Sequence, residues 1–365
     1  MADRSRQSGE VLSNPINVLV VDDSAFARTV ITNKLQSDPD IRVIGAARDG
    51  VEALEMVKSL RPDVITLDIT MPRMDGLTAL ERIMADHPTP VVMLSALTGP
   101  QTQATIRALE IGAVDFILKA SLSSPVGTDE AGMGITAKVK IAAKVTVRGP
   151  GAKRPDKNER KQKEDRPLAR RPRMSHVVVI GTSTGGPKAL GELIPALPRG
   201  LPAGFLIVQH MPPGFTRSLA ERLNQLSHLD VKEAQSGDTV KPEQVLIAPG
   251  GHHMTVARDG TISFNDGPLV CGVRPSVDVT VESAVATYGS ATLGVILTGM
   301  GNDGTRGASL IKKAGGKVAV EAESTCAVYG MPKCVSDAGN ADTVVPLPQM
   351  ADEIIRMCRA GSRAQ

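Results

Sequence analysis

The sequence predicts an α/β protein of two doubly wound, parallel-sheet domains joined by a flexible linker, on three observations. Short apolar runs alternate with amphipathic stretches from residue 17 to about 147. The same alternation resumes at His176 and continues to the C-terminal region. Between the two, RGPGAKRPDKNERKQKEDRPLARRPR (148–173) is charged, nearly free of large apolar residues and interrupted by Pro150, Pro155, Pro167 and Pro172. Alternating strands and helices imply βαβ units with helices on both faces of a parallel sheet. The middle segment buries too little surface to order itself, and its prolines exclude a long helix.

In the first domain the strands fall at Asn17–Asp23, Arg42–Ala47, Val64–Asp68, Val91–Ala96 and Phe116–Lys119. Helical patterns lie between them at Phe26–Leu35, Val51–Leu60, Gly76–Ala85 and Thr102–Ile111. Ile135–Val147 fits either period and is read as a helix, because a fifth parallel strand needs a covering helix behind it. The predicted division is a first domain at 16–135, a basic linker at 136–173 whose start is helical, and a second domain at 174–365. In the second domain, strands fall at His176–Gly181, Gly204–His210, Gln244–Ala248, Thr292–Thr298 and Lys317–Glu321. Helices are expected at Lys188–Ala196, Thr216–Leu226, Val277–Thr287 and Gly304–Ala314, and a hairpin at His253–Asn265 around Asp259-Gly260.

Composition excludes several classes of function. Aromatic residues are only 2% with no Trp, which argues against base-stacking surfaces for nucleic acid. Neither domain shows a helix-turn-helix with a basic recognition helix. No apolar run reaches membrane-spanning length, and the polar first residues carry no signal-peptide core, so a cytoplasmic protein not inserted in membrane is expected. Cys271, Cys326, Cys334 and Cys358 have no CxxC spacing, so they suggest neither a zinc site nor a disulfide framework. The net charge of +3 hides an imbalance: Lys138–Arg173 holds fourteen Lys/Arg against four acids, and the rest of the chain nets about −7. That excess marks a solvated linker or an electrostatic tether to an acidic partner or membrane surface.

Functional groups in open parallel sheets gather at the carboxyl ends of the strands. Asp22, Asp23 and Asp68 fall there together, and three crowded carboxylates call for a cation; oxygen-only ligands favour Mg²⁺. With charge neutralised, Asp68 becomes a nucleophile toward a phosphoryl group. Ser95 and Lys119 end the next two strands, a hydroxyl and a cation for phosphoryl oxygens. Taken singly, such an Asp is as often a helix N-cap and such a Lys a surface residue. VVDDSAFAR, PDVITLDITMPRMDGL, VVMLSALT and GAVDFILK resemble the receiver domain of two-component response regulators over residues 16–135. The resemblance implies a flavodoxin-like fold and phosphorylation of Asp68 by a histidine kinase. It also implies Mg²⁺ held by Asp23, Asp68, the Thr70 carbonyl and, through water, Asp22, with Ser95 and Lys119 as the phosphate-site switch. Ala120 stands after Lys119 where receivers commonly have proline.

In the second domain GTSTGGPKAL (181–190) follows a strand directly. Glycines around a serine permit a sharp turn that exposes the hydroxyl, Pro187 suits a first helical turn, and amides near Thr184 and Gly185 are free to face an anion. His210 closes a second apolar strand, and Asp303 lies in TGMGNDGTRG (298–307) after a third. Serine, histidine and aspartate at three strand ends form a candidate nucleophile, base and orienter. Open alternatives are Ser183 as a helix cap, the loop as a phosphate cradle, His210 as a core histidine, and Asp303 as the cap of the following helix. His252 and His253 are reserve bases. The order Ser…His…Asp differs from that of the α/β-hydrolases. GTSTGG, VQHMPPGFTRSLAERL, APGGHHM, RPSVDV and GVILTGMGNDG resemble the catalytic domain of the chemotaxis protein-glutamate methylesterases, the CheB family, from about His176 to Met357.

The resemblance implies a Rossmann-like methylesterase domain with Ser183, His210 and Asp303 as its triad and the Met300 amide as an oxyanion donor. Many relatives have GA where this chain has GT before Ser183. The implied reaction is hydrolysis of glutamate γ-methyl esters on methyl-accepting chemotaxis receptors, with deamidation of receptor glutamines. A chemotaxis histidine kinase is the implied phosphodonor, and no cofactor is implied for hydrolysis itself. The alternative is a phosphorylation-dependent receptor-binding module without turnover.

Overall fold

The computed structural model describes residues 14–123, 134–147 and 174–360. The first sheet contains β1 (Ile16–Val21), β2 (Ile41–Ala47), β3 (Val64–Asp68), β4 (Val91–Ser95) and β5 (Asp115–Leu118). They alternate with α1 (Ala25–Gln36), α2 (Gly50–Leu60), α3 (Gly76–Asp86) and α4 (Gly99–Ile111), and α5 (Ile135–Ala142) follows. Strand order is β2-β1-β3-β4-β5, all parallel. Every residue of β3 and β4 is buried, as a sheet covered on both faces requires. Ser24, Asp49 and Asp75 cap α1, α2 and α3, each side chain accepting from first-turn amides.

Residues 136–142, assigned to the linker in the division by sequence, lie inside α5. Val139 and Ala142 of that helix are fully buried with Val18, Val20 and Leu94 of the first sheet. Lys119, expected to end the fifth strand, instead opens a 3₁₀ turn over Lys119–Ser123. Its ammonium reaches Asp22 and Asp68 across the sheet edge, so the chain bends there.

The second sheet contains β6 (His176–Thr182), β7 (Ala203–Gln209), β8 (Asp230–Glu233) and β9 (Gln244–Ile247). A separate antiparallel hairpin, β10 (His253–Val256) and β11 (Ile262–Asn265), precedes β12 (Thr292–Ile296), β13 (Lys317–Glu321) and β14 (Thr343–Val345). Its helices are α6 (Gly186–Leu193), α7 (Phe215–Leu226), α8 (Val277–Tyr288), α9 (Thr305–Lys313), α10 (Met331–Asp337) and α11 (Leu347–Ala360). The order is β14-β13-β12-β6-β7-β9-β8, again all parallel. The chain winds one way from β6 and the other way from β12. These two neighbours therefore form the switch point at which a crevice opens at the strands' carboxyl ends. β8 and β14 were not foreseen. They are short edge strands, and the single fully buried side chain of β8, Val231, gives no period to detect.

Candidate functional site

The turn between β6 and α6 is built by its glycines. Gly185 has φ +80°, and a side chain there would meet Ala327 Cβ at 2.6 Å. A side chain on Gly186 would overlap Gln209 Oε1 and approach Thr182 Oγ1 at 2.5 Å. Ser183, between them and β6, is half-buried. Its amide donates to Thr298 O at 3.1 Å, and its carbonyl accepts from Gly186 N at 2.8 Å and from Gln209 Nε2 at 2.9 Å. Among the described residues its hydroxyl makes no hydrogen bond, and the amides of Thr184 and Gly185 donate to nothing. The turn thus fixes the serine backbone and leaves the hydroxyl and two donors for a ligand.

His210 follows β7, and its amide donates to Thr182 O at 3.1 Å, which ties the two strand ends together. Its Nε2 lies 2.8 Å from Asp303 Oδ2. The ring is therefore engaged through Nε2, the reverse of the serine-protease arrangement, and Nδ1 is left for a proton from a substrate-facing group. Asp303 is buried and fully saturated. Oδ2 also accepts Val277 N at 2.7 Å, while Oδ1 accepts Ser276 Oγ at 2.8 Å and Asp278 N at 3.0 Å. Burial pushes this carboxyl up, but His210 and the two amides outweigh it and hold it below the usual carboxylate range.

The alternative of Asp303 as a helix cap resolves in an unexpected way. It caps α8, not the α9 that follows it. Asp278, in the first turn of α8, caps α9 in return, accepting from Gly304 N at 3.0 Å and Gly307 N at 2.7 Å. Two helix N-termini are thus stapled by exchanged carboxylates, and a carboxylate is favoured at each by the amides and dipole there. Cys271 Sγ lies near both carboxylates, but the oxygens of Asp303 are already committed. Burial and the two anions push the thiol up, so it stays protonated.

Met300 sits at the rim, 42% exposed, on the loop after β12, and its amide makes no hydrogen bond among the described residues. His252 is exposed and its Nδ1 is 2.5 Å from Asp266 Oδ1, while His253 is buried with Nε2 on Pro268 O at 3.0 Å. Both reserve histidines thus face the hairpin loop and neither contacts Ser183 or Asp303. The sequence did not single out Gln209, Ser276, Asp278 or Thr298. RPSVDV contains two of them, and a serine two residues before an aspartate at a helix start was the available signal.

At the edge of the first sheet, carboxylate oxygens of Asp22, Asp23 and Asp68 lie within 4.8 Å of one another. Lys119 Nζ is 2.8 Å from Asp22 Oδ2 and 2.9 Å from Asp68 Oδ2. The first contact lacks hydrogen-bond alignment, so the buried Asp22 Oδ2 has a neighbouring charge but no directed donor. Burial, partly offset by Lys119 and reinforced by Asp22, pushes the Asp68 carboxyl up. Burial lowers Lys119, but the two carboxylates beside it outweigh that and raise it. Gly76 is needed beside the site, because a Cβ there would overlap the Asp68 carbonyl. Thr70, two residues past Asp68, accepts from Gln101 Nε2 at 3.1 Å. Ser95 is buried, and its hydroxyl is shared with Thr105 of α4 at 2.7 Å.

The two domains meet through β5 and α4 on one side and α6 and α7 on the other. Phe116 stacks on Phe215, centroids 4.4 Å apart. Arg222 forms a forked pair with Glu110, Nε to Oε1 2.8 Å and an Nη to Oε2 2.9 Å. Thr102 and Ser218 hydroxyls are 2.9 Å apart. Thr184, next to Ser183, donates to Asp115 Oδ2 at 2.8 Å.

Comparison with known proteins places these two sites in a common frame. The family model for the response regulator receiver domain matches residues 18–124, and that for the CheB methylesterase matches residues 178–354. The chain is 51% identical over 360 residues to a protein-glutamate methylesterase/protein-glutamine glutaminase of Symbiobacterium thermophilum, covering 96% of this chain and 99% of the relative. It is 47% identical to the protein of the same description from Pyrococcus abyssi, covering 95% of each. The solved Thermotoga maritima CheB methylesterase catalytic domain is 49% identical and covers 50% of this chain and 98% of that one, with a TM-score of 0.48.

Proposed function

Because this chain belongs to the CheB family of protein-glutamate methylesterases/protein-glutamine glutaminases, carboxylic ester hydrolases joined to a response-regulator receiver, we propose that it removes methyl groups from receptor glutamates under control of phosphorylation at Asp68. The observation that carries this is the 2.8 Å contact between His210 Nε2 and Asp303 Oδ2, with Ser183 and His210 following the paired ends of β6 and β7.

His210 Nδ1 takes the proton of Ser183 as its oxygen attacks the ester carbonyl. Asp303, ionised and held by four donors, fixes the imidazole and stabilises its cation. The Met300 amide, with those of Thr184 and Gly185 nearby, receives the developing oxyanion; such a donor contributes on the order of 3 kcal/mol to the transition state. Methanol leaves with the proton from His210, and water then cleaves the acyl-enzyme with His210 again as base. The same machinery deamidates glutamine, ammonia replacing methanol as the leaving group. Substrates are methyl-accepting chemotaxis receptors, reached in the cytoplasm; among the described residues no helix is long and apolar enough to cross a membrane.

In the receiver, Asp22, Asp23 and Asp68 fit a hard divalent cation. They offer only oxygen, and the directed-bond vacancy at Asp22 Oδ2 suits a metal or its water. Mg²⁺, when bound there with the Thr70 carbonyl, neutralises the carboxylates so that a phosphoryl group from a histidine kinase can approach. Asp68 is the acceptor, and Lys119 and the Ser95 hydroxyl pair with phosphoryl oxygens. For that, Ser95 must leave Thr105, and α4, which bears Thr105, also bears the Thr102 and Glu110 contacts to α7. Phosphorylation thereby loosens the face that holds Thr184 through Asp115.

Methanol release from methylated receptor, with and without a small phosphodonor, tests this. Release that persists in Ser183→Ala sinks the hydrolytic role, and adaptation unchanged by that variant favours the binding module.

A further inference from the structure

One buried carboxylate beside the hydrolytic site takes no part in the mechanism above. Glu321 closes β13 at the same sheet edge and is fully buried. Its Oε2 accepts the Thr298 amide at 2.8 Å. Its Oε1 has no hydrogen-bond partner. The Thr325 hydroxyl and Cys326 thiol adjoin it, but Thr325 Oγ1 is turned to Ala322 O and Cys326 Sγ to the Glu321 carbonyl. Among the described residues no ion pair to Glu321 is formed.

Thr298 is the clamp of the serine turn. Its carbonyl accepts Ser183 N at 3.1 Å and Thr182 Oγ1 at 2.8 Å, and its hydroxyl donates to Thr184 O at 3.0 Å. Glu321 therefore grips the residue that grips all three positions around the nucleophile. Met300, the oxyanion donor, is two residues further along the same loop.

We propose that Glu321 is a positioning residue for ester hydrolysis that works in its neutral, protonated form, its uncharged carboxyl holding Thr298 and, through Thr298, the turn that presents Ser183. This rests on the methylesterase reading. A lone carboxylate in a dry site is costly unless paired, and protonation is its usual escape. Burial pushes Glu321 up, with Glu192 of α6 adding to the effect, and the Thr298 amide with the adjoining Thr325 and Cys326 side chains offsets only part. On the neighbouring elements Lys312 of α9 pairs with Asp342, Lys333 of α10 with Asp337 and Arg356 of α11 with Glu353, while Lys188 of α6 and Lys313 of α9 are exposed to solvent. Cys326, whose thiol is itself driven up chiefly by burial, brings no charge.

Ionisation of Glu321 at high pH puts an uncompensated anion beside the place where the oxyanion forms. It opposes that charge and draws water to the end of β13, loosening Thr298. Hydrolysis then falls as pH rises.

The test uses full-length protein treated with a phosphodonor, as wild type, E321Q and E321A, each checked for folding by circular dichroism. Initial methanol release from methylated receptor is followed from about pH 6 to 10, and the carbonyl stretch of a protonated carboxyl is sought by infrared difference spectroscopy. E321Q is expected to keep the neutral-pH rate, lose the alkaline fall and lose the protonated-carboxyl band. E321A is expected to lose kcat on the order of a hundredfold with KM unchanged, as misplacement of reacting groups does. An E321Q as slow as E321A, an alkaline fall common to E321Q and wild type, or no protonated band at neutral pH overturns the proposal. A wild type that releases no methanol overturns the esterase reading instead, and the infrared band then still decides the state of Glu321.

Discussion

The two sheet edges hold carboxylates in opposite ways. In the receiver, three acids share one lysine, and Asp68 is pushed up by burial beside Asp22. In the hydrolase, Asp303 is equally buried yet wrapped by four donors and held down. The fold and the strand ends are alike, but the first edge is left short of positive charge and the second is saturated. The difference separates an edge with unmatched carboxylate oxygen, the one proposed to take a cation and a phosphoryl group, from one whose carboxylate is matched by its own helix termini. Helix-terminal amides surround the carboxylate at Asp303, whereas at Asp68 the neighbouring positive group is Lys119.

Substitutions can break this contrast. The largest effect is expected from Ser183→Ala, which should lower methanol release by about 10⁶-fold while leaving the fold intact. Asp303→Asn should lower kcat by about 10⁴-fold by fixing the wrong imidazole tautomer. It should also loosen the exchanged caps between α8 and α9. Because Asp303 is held below its unfolded value, its contribution to stability is present above the ordinary carboxylate range and lost as pH falls through the folded value. The melting-temperature gap between wild type and Asp303→Asn should therefore be widest near neutrality and narrow in acid.

Smaller effects concern the contact between the domains. Glu110→Ala removes the forked partner of Arg222, a pair that contributes about 1 kcal/mol, and should raise the unphosphorylated rate by about fivefold. Asp115→Asn should act in the same direction through Thr184. The smallest effect is at the receiver edge. Asp68 is raised, so its stabilising contribution is present below the ordinary carboxylate range and lost as pH rises through its folded value. Asp68→Asn should then melt higher than wild type at neutral pH in Mg²⁺-free buffer, and added Mg²⁺ should close the gap. A lower melting temperature for the variant would show that Lys119 alone compensates the acids.

The sequence disclosed the placement of Asp22, Asp68, Ser95 and His210 at or just past strand ends, because apolar runs leading into them need no tertiary information to be seen; Lys119 instead opens a turn past β5. It did not disclose Thr298 or Glu321. Their roles come from pairing β6 with β12 and β12 with β13, strands more than a hundred and about twenty residues apart respectively. Nor did it tell which helix Asp303 caps, since an aspartate before a helix looks like that helix's own cap until Asp278 is seen there instead. The contact of Thr184 with Asp115 was equally out of reach, because it depends on how two domains dock. The linker at 148–173 lies outside the described residues.

Whether hydrolysis at Ser183 is governed from Asp68 is tested most directly by methanol release from methylated receptor, using full-length wild type, Asp68→Asn and Ser183→Ala, each with Mg²⁺ and with or without a small phosphodonor. The phosphodonor should accelerate the wild type, leave Asp68→Asn at its basal rate, and produce nothing in Ser183→Ala. Equal acceleration of Asp68→Asn, or undiminished release by Ser183→Ala, would contradict it.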